Sequence, residues 1–212
     1  VGVGCERGTD PAELIALVQA ALQAGDIANA SVAGLYSLDL KADEPAVHAA
    51  AAALGVEARF FDAATLEAET LRLENPSDVV FREVGCHGVS EGAALAAAGK
   101  AAKLAVEKQK SARATCAIAV APGPIVGEPG QCQGRLLIVG TGPGSDGWMT
   151  AEAEDAVAQA TDLVGYTLYL DILADRVAGK TRHDFPLGEE IDRVRAALEL
   201  AAAGRTVALV SS

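Results

Sequence analysis

Residues 1–24 read Val1-Gly-Val-Gly-Cys5-Glu-Arg-Gly-Thr-Asp10-Pro-Ala-Glu-Leu-Ile-Ala-Leu-Val-Gln-Ala-Ala-Leu-Gln-Ala24, and a change of period within them decides the fold. Val1 to Val3 is the apolar start of a strand, and Gly4 and Gly8 open a turn. From Ala12 to Ala24 the apolar residues Leu14, Leu17, Val18, Ala21 and Leu22 recur at helical spacing. Thr9 or Asp10 suits the N-cap, and Pro11 suits a first turn in which its missing N–H costs nothing. The pattern then repeats, with a strand at Val32 to Leu40, a helix at Glu44 to Leu54 behind Pro45, and a strand at Ala58 to Phe61. Short strands alternating with amphipathic helices predict α/β structure, βαβ units around a mainly parallel sheet.

Further along, Asn75-Pro76-Ser77 reads as a mobile connection. A helix over Ser90 to Ala98 leads through Ala102–Val106 to a strand at Thr115 to Val120. The run Ala121-Pro-Gly-Pro-Ile-Val-Gly-Glu-Pro-Gly130 is too rich in Pro and Gly for a ladder or a helix. The predicted division is a domain over 1–121, a linker over 122–133 and a second α/β domain over 134–212. In that second segment strands are expected at Arg135–Val139, Asp162–Gly165 and Thr206–Val210, with helices at Thr150–Ala160 and Glu189–Ala203. About three strands are few for an independent sheet. The chain opens without Met inside one strand and stops while another is running, so a piece of a longer polypeptide is expected.

Composition narrows the function. The 212 residues are 50% hydrophobic but only 4% aromatic and rich in Ala, which suits helices packed closely on a sheet. A net charge of −12 argues against nucleic acid or an anionic membrane as partner, because both require a basic surface. Any anionic substrate must be met locally. Cys5, Cys86, Cys116 and Cys132 are scattered, with no pair or Cys/His cluster at ligand spacing, so no metal is expected and reduced thiols in a cytoplasm fit. No apolar run reaches the roughly twenty residues that span a bilayer.

The turn Gly140-Thr-Gly-Pro-Gly144 follows an apolar strand and invites a nucleotide reading. The dinucleotide pattern fails, since its third glycine falls on Ser145 and Pro143 removes a needed amide donor. A phosphate-binding P-loop fails for want of Gly-Lys-Ser/Thr, and a plain tight turn stays open. Gly134-Arg-Leu-Leu-Ile-Val-Gly-Thr-Gly-Pro-Gly-Ser-Asp-Gly-Trp-Met-Thr150, followed by Val164-Gly-Tyr166, Glu189-Glu-Ile-Asp-Arg193 and Gly204-Arg-Thr-Val-Ala-Leu-Val-Ser-Ser212, resembles the N-terminal part of the tetrapyrrole (precorrin) methylases. Within that family it is most similar to precorrin-3B C17-methyltransferase. The resemblance implies S-adenosylmethionine (SAM) as cofactor, held at Gly142, Pro143 and Gly144, with Tyr166 either orienting the macrocycle or packing at a strand end, and a homodimer as the usual assembly. Family members continue into a Gly-Asp-Pro-Gly loop beyond the position of Ser212, so this segment alone is expected to be inactive.

In the first segment, Gly4-Cys-Glu-Arg-Gly8, Lys41-Ala-Asp-Glu-Pro45, Gly85-Cys-His-Gly-Val-Ser-Glu-Gly-Ala-Ala94 and the stretch from Lys108 through Ala114-Thr-Cys-Ala-Ile-Ala119 resemble the C-terminal domain of the cobalt-precorrin-5A hydrolase type. The full hydrolase opens a lactone with loss of a two-carbon aldehyde. Each motif lies where a strand meets a helix start, so free amides converge on one rim of the sheet. A precorrin carries many acetate and propionate groups. Arg7, Lys41 and Lys108, with Lys110, are candidates to pair with them, or else they are solvated or bridge to Asp43 and Glu44. Glu44 and Glu91 are candidates for acid/base catalysis if the macrocycle desolvates them, while Glu91 can instead satisfy first-turn amides. Cys5 is either a thiolate at a helix start or a small buried thiol, and His48, His87 and His183 read as surface or packing residues. The function implied is cobalamin biosynthesis: a precorrin-binding domain fused to a SAM-dependent methyltransferase. A non-catalytic tetrapyrrole carrier is the alternative, and a nucleotide-binding regulator a third.

Overall fold

The computed structural model describes residues 1–142 and 149–211. They form two compact units, Val1–Cys132 and Gln133–Ser212. The first begins with β1 (Gly2–Cys5), α1 (Pro11–Ala24), β2 (Leu35–Leu38), α2 (Pro45–Leu54), β3 (Ala58–Phe61) and α3 (Ala63–Glu67). It continues with α4 (Asp78–Val84), α5 (Val89–Ala98), β4 (Lys103–Lys110) and β5 (Ala114–Val120). Asp10 is the N-cap of α1, accepting from the Ala12 N–H, and Pro11 occupies the first turn.

The strand order is β3-β2-β1-β5-β4. β1, β2 and β3 run parallel, as the βαβ alternation requires, while β5 and β4 add an antiparallel hairpin on the other side of β1. The expected strand Val32–Leu40 shrinks to four residues, all buried. The helices α3 and α4 fill the stretch before α5, and Asn75-Pro76-Ser77, expected to be mobile, is tied down: the Ser77 N–H donates to the His87 carbonyl and the Asn75 N–H to Glu91.

Strand alternation separates two apolar layers. Val3, Leu35, Ala58 and Phe60 pack with Leu14, Val18 and Leu22 of α1 and Val47 and Ala50 of α2. On the opposite face Tyr36 and Leu38 pack with Leu66 of α3 and Ala93 and Ala97 of α5. Gly2 explains how close α5 lies to the sheet: a Cβ there would stand 2.0 Å from the Ser90 carbonyl oxygen and 2.6 Å from the Ala94 nitrogen. Only glycine lets the start of α5 rest on β1. Part of the Pro/Gly run belongs to this unit, since Phe60 and Gln131 exchange both backbone hydrogen bonds and Arg59 donates to the carbonyls of Glu128, Pro129 and Gly130.

The second unit contains β6 (Arg135–Gly140), α6 (Ala151–Gln159), β7 (Asp162–Tyr166) and α7 (Thr167–Ile172), then β8 (Thr181–Phe185), α8 (Glu190–Ala202) and β9 (Thr206–Ser211). Its sheet is fully parallel, in the order β6-β9-β7-β8. The fourth strand, β8, escapes the sequence pattern because Thr181-Arg-His-Asp-Phe185 is an edge strand with no fully buried residue. No helix among the described residues is long and apolar enough to cross a membrane.

Candidate functional site

A cleft of about 580 Å³ opens in the first unit at the carboxyl ends of β1 and β2, where α/β sheets receive ligands. β1 delivers Gly4, Cys5 and Glu6 to its wall, and the loop after β2 delivers Lys41. Asn75-Pro76-Ser77 and the α5 start Gly88-Val89-Ser90 form another side. The hairpin contributes Lys108, Lys110 and Arg113. Among the described residues four cations, Lys41, Lys108, Lys110 and Arg113, thus line the cleft against two carboxylates, Glu6 and Glu83. In a chain of net charge −12 this is a local reversal of sign.

The loops around the cleft are fastened to one another by buried or shared charges. Glu44, 2% exposed, accepts the Gly8 N–H at 3.1 Å and so joins the first two motif loops. Arg7 joins the same loops from outside, through Asp43 and the Leu40 carbonyl, and does not line the cleft. Its guanidinium holds the Asp43 carboxyl below the usual range. Arg113, which the sequence did not single out, clamps the β1–α1 loop by donating to Glu6 and to the carbonyls of Arg7 and Gly8. Its own backbone N–H reaches Glu13 at 2.7 Å.

Glu91 is 1% exposed and accepts four hydrogen bonds, from the N–H groups of Glu74, Asn75 and Lys108 and from the Asn75 side chain, all between 2.9 and 3.0 Å. Burial by itself would raise its pKa, but the Lys108 and Asn75 donors outweigh burial and hold the carboxyl below its usual value. The amides it satisfies belong to another loop and to β4, not to its own first turn. Such a carboxylate is a fastener with its lone pairs occupied, in a poor position for proton transfer.

Lys108 donates Nζ–H to the Asn75 carbonyl, and burial followed by neighbouring Lys110 lowers its pKa, opposed by Glu91. Burial, then Glu44, pushes the Cys5 thiol up, so of its two readings the neutral thiol fits. His87 binds Glu67 through Nδ1 and stacks on Phe81, and His48 points Nε2 at the Ala42 carbonyl. Among the described residues no group of three His, Cys, Asp or Glu is arranged to hold a metal.

In the second unit the glycine loop leaves the carboxyl end of β6. Thr141 is buried and pinned to the Ser211 carbonyl by both its N–H and its hydroxyl. Gly142 has φ 66°, a left-handed turn, and a side chain at Gly140 would meet open space. Pro143 and Gly144 lie outside the described residues. Tyr166 ends β7, half-buried, with its ring edge-on to Tyr169 at 5.3 Å.

Residues 1–119 match the family described as "Cobalamin synthesis G C-terminus", and residues 135–212 match "Tetrapyrrole (Corrin/Porphyrin) Methylases". Protein CobE of Sinorhizobium sp is 53% identical over 119 residues, covering 56% of this chain and 77% of that protein. The precorrin-3B C(17)-methyltransferase of Sinorhizobium sp is 47% identical over 83 residues, 37% of this chain but only 30% of the enzyme. A crystal structure of CobE, described as a protein from the cobalamin (vitamin B12) biosynthetic pathway, superposes with a TM-score of 0.52 at 37% identity, over 56% of this chain and 86% of that one.

Proposed function

Because the chain belongs to the cobalamin-synthesis G C-terminal family through residues 1–119, with part of a tetrapyrrole methylase behind it, we propose that it serves cobalamin biosynthesis by holding a precorrin-class tetrapyrrole in the cleft of its first unit. The observation that carries this is the reversal of sign, Lys41, Lys108, Lys110 and Arg113 gathered at one sheet rim of an acidic protein. Acetate and propionate arms of such a macrocycle are the ligands these cations would pair with. Arg7 acts one step back, holding the loop that carries Lys41.

Residues 134–212, joined through the Pro/Gly stretch 122–133, supply the opening of a SAM-dependent methyltransferase of the precorrin-3B C17 type. The open flank of Gly140 and the left-handed turn at Gly142 fit a cofactor approached by main chain, and Gly142, Pro143 and Gly144 would hold it. When bound, SAM supplies the sulfonium methyl that a ring carbon attacks. Tyr166 would bear on the macrocycle. The net charge of −12 supports a protein with neither nucleic-acid nor anionic-membrane partners, a cytoplasmic place is proposed from its role in biosynthesis, and a homodimer is proposed by likeness to the methylases.

For the first unit itself one observation favours the carrier role over catalysis. The two candidate acid/base residues are buried, Glu44 accepting the Gly8 N–H and Glu91 accepting four hydrogen bonds. A visible-absorption titration with cobyrinic acid, a stable corrin with free carboxylates, tests the assignment. Saturable binding is expected, weakened about fivefold by each of Lys41→Ala and Lys110→Ala. Absence of any spectral change would end the tetrapyrrole assignment. Binding that neither needs SAM nor consumes the ligand marks the carrier, whereas conversion of a precorrin by the first unit marks an enzyme.

A further inference from the structure

We propose that the start of α5 is a carboxylate subsite in the wall of the cleft, with Ser90 as its hydroxyl donor. The proposal rests on the tetrapyrrole assignment above and specifies where one acid arm of the macrocycle goes. Three independent features of the helix meet there.

First, α5 is ten residues long and has no side-chain cap, its N-cap being Gly88. The first-turn N–H groups of Val89, Ser90 and Glu91 therefore have no intrahelical acceptor, and the positive end of the helix dipole adds to their pull on an anion. A Cβ at Gly88 would stand 2.9 Å from a Leu73 methyl group, so a capping side chain there would have to displace Leu73. Glu91 does not fill the role either, since its carboxylate is turned to Glu74, Asn75 and Lys108.

Second, Ser90 is 1% exposed and its Oγ has no hydrogen-bond partner among the described residues. The contrast with the other buried hydroxyls of this unit is informative: Ser37 donates to the Val3 carbonyl and Thr9 to the Glu6 carbonyl. The carbonyl three residues before Ser90, that of His87, is already engaged by the Ser77 N–H. A buried hydroxyl left unpaired is costly, and a ligand oxygen would satisfy it.

Third, Gly88, Val89 and Ser90 line the same cleft as Lys108 and Lys110. A carboxylate there would be met by amides and a hydroxyl from the helix and by cations from β4, the donor set that suits a planar anion.

Titration of the 15N-labelled chain with glutarate, a small dicarboxylate resembling the macrocycle's arms, reads the subsite directly. The amide signals of Val89, Ser90 and Glu91 are expected to shift and saturate, and Ser90→Ala is expected to weaken both glutarate and cobyrinic acid about tenfold. That variant removes an unpaired group, so its fold is expected to be at least as stable. If glutarate leaves those three amides unmoved, the subsite is wrong whatever the corrin does. If cobyrinic acid binds Ser90→Ala as tightly as wild type, Ser90 has no such role while the tetrapyrrole assignment stands. If glutarate binds at these amides and cobyrinic acid does not bind at all, the subsite stands as a carboxylate site and the tetrapyrrole assignment falls.

Discussion

Glu91 carries the strongest prediction at the scale of a single residue. Its four donors come from positions 16 and 17 residues away, so its removal unfastens a loop and a strand together. Glu91→Gln keeps the shape but loses the charge and turns an acceptor oxygen into a donor facing N–H groups. The expected cost is about 3 kcal/mol, read by urea unfolding at neutral pH. The sign of its pH dependence follows from a folded pKa held below the ordinary 4.5. Its stabilisation is fully present above that unfolded value and is lost as pH falls through the folded one. Wild type should therefore lose stability on acidification more steeply than Glu91→Gln, and equal acid slopes would show that the carboxylate is not so held. Residue type within a motif was enough to pick out Glu44, Glu91, Lys41 and Lys108. It could not reveal that Glu44 and Glu91 face backbone amides, nor that Arg113, within the stretch from Lys108 to Ala119, clamps the first loop.

At the scale of elements, the contact of α5 with β1 depends on Gly2. Gly2→Ala forces a methyl into the Ser90 carbonyl, and with both backbones buried neither can move cheaply. A loss of about 3 kcal/mol in chemical unfolding is expected, with cleft affinity falling too, because the displaced helix end carries Val89 and Ser90. In the second unit Asp162, 2% exposed, gathers the starts of three strands, accepting from Thr161 beside β7, His183 of β8 and Arg205 before β9. Burial would raise its pKa, but Arg205, His183 and Thr161 prevail and lower it. Asp162→Asn is expected to cost about 2–3 kcal/mol at pH 7, a deficit that shrinks as pH falls below the ordinary carboxylate value of 3.8 and the wild-type residue is itself protonated. The parallel core strands were legible because they are short apolar runs between glycine turns and helices. The edge strands β4 and β8 were not, since Lys103–Lys110 and Thr181–Phe185 lie at sheet edges, where polar side chains blur the alternation, whereas β5 was read at Thr115–Val120.

For the whole molecule, every described residue that lines the cleft falls within Val1–Cys132. A chain shortened to 1–132 should bind cobyrinic acid as tightly as the full 212 residues, and a large loss would place part of the site in the second unit. Salt should weaken that binding, since the pairing is between cleft cations and carboxylates. Composition and periodicity alone determined the α/β class, the restart of the pattern after the Pro/Gly run and the acidity that demands a local basic cleft, while the family was read by resemblance from ordered motifs. All of these are written in neighbouring residues. The tertiary structure alone decided which carboxylates are fastened and which buried hydroxyl is left without a partner among the described residues. Those outcomes depend on groups brought together from far apart, as when Arg113 closes on Gly8 105 positions away, and no local pattern encodes such a meeting.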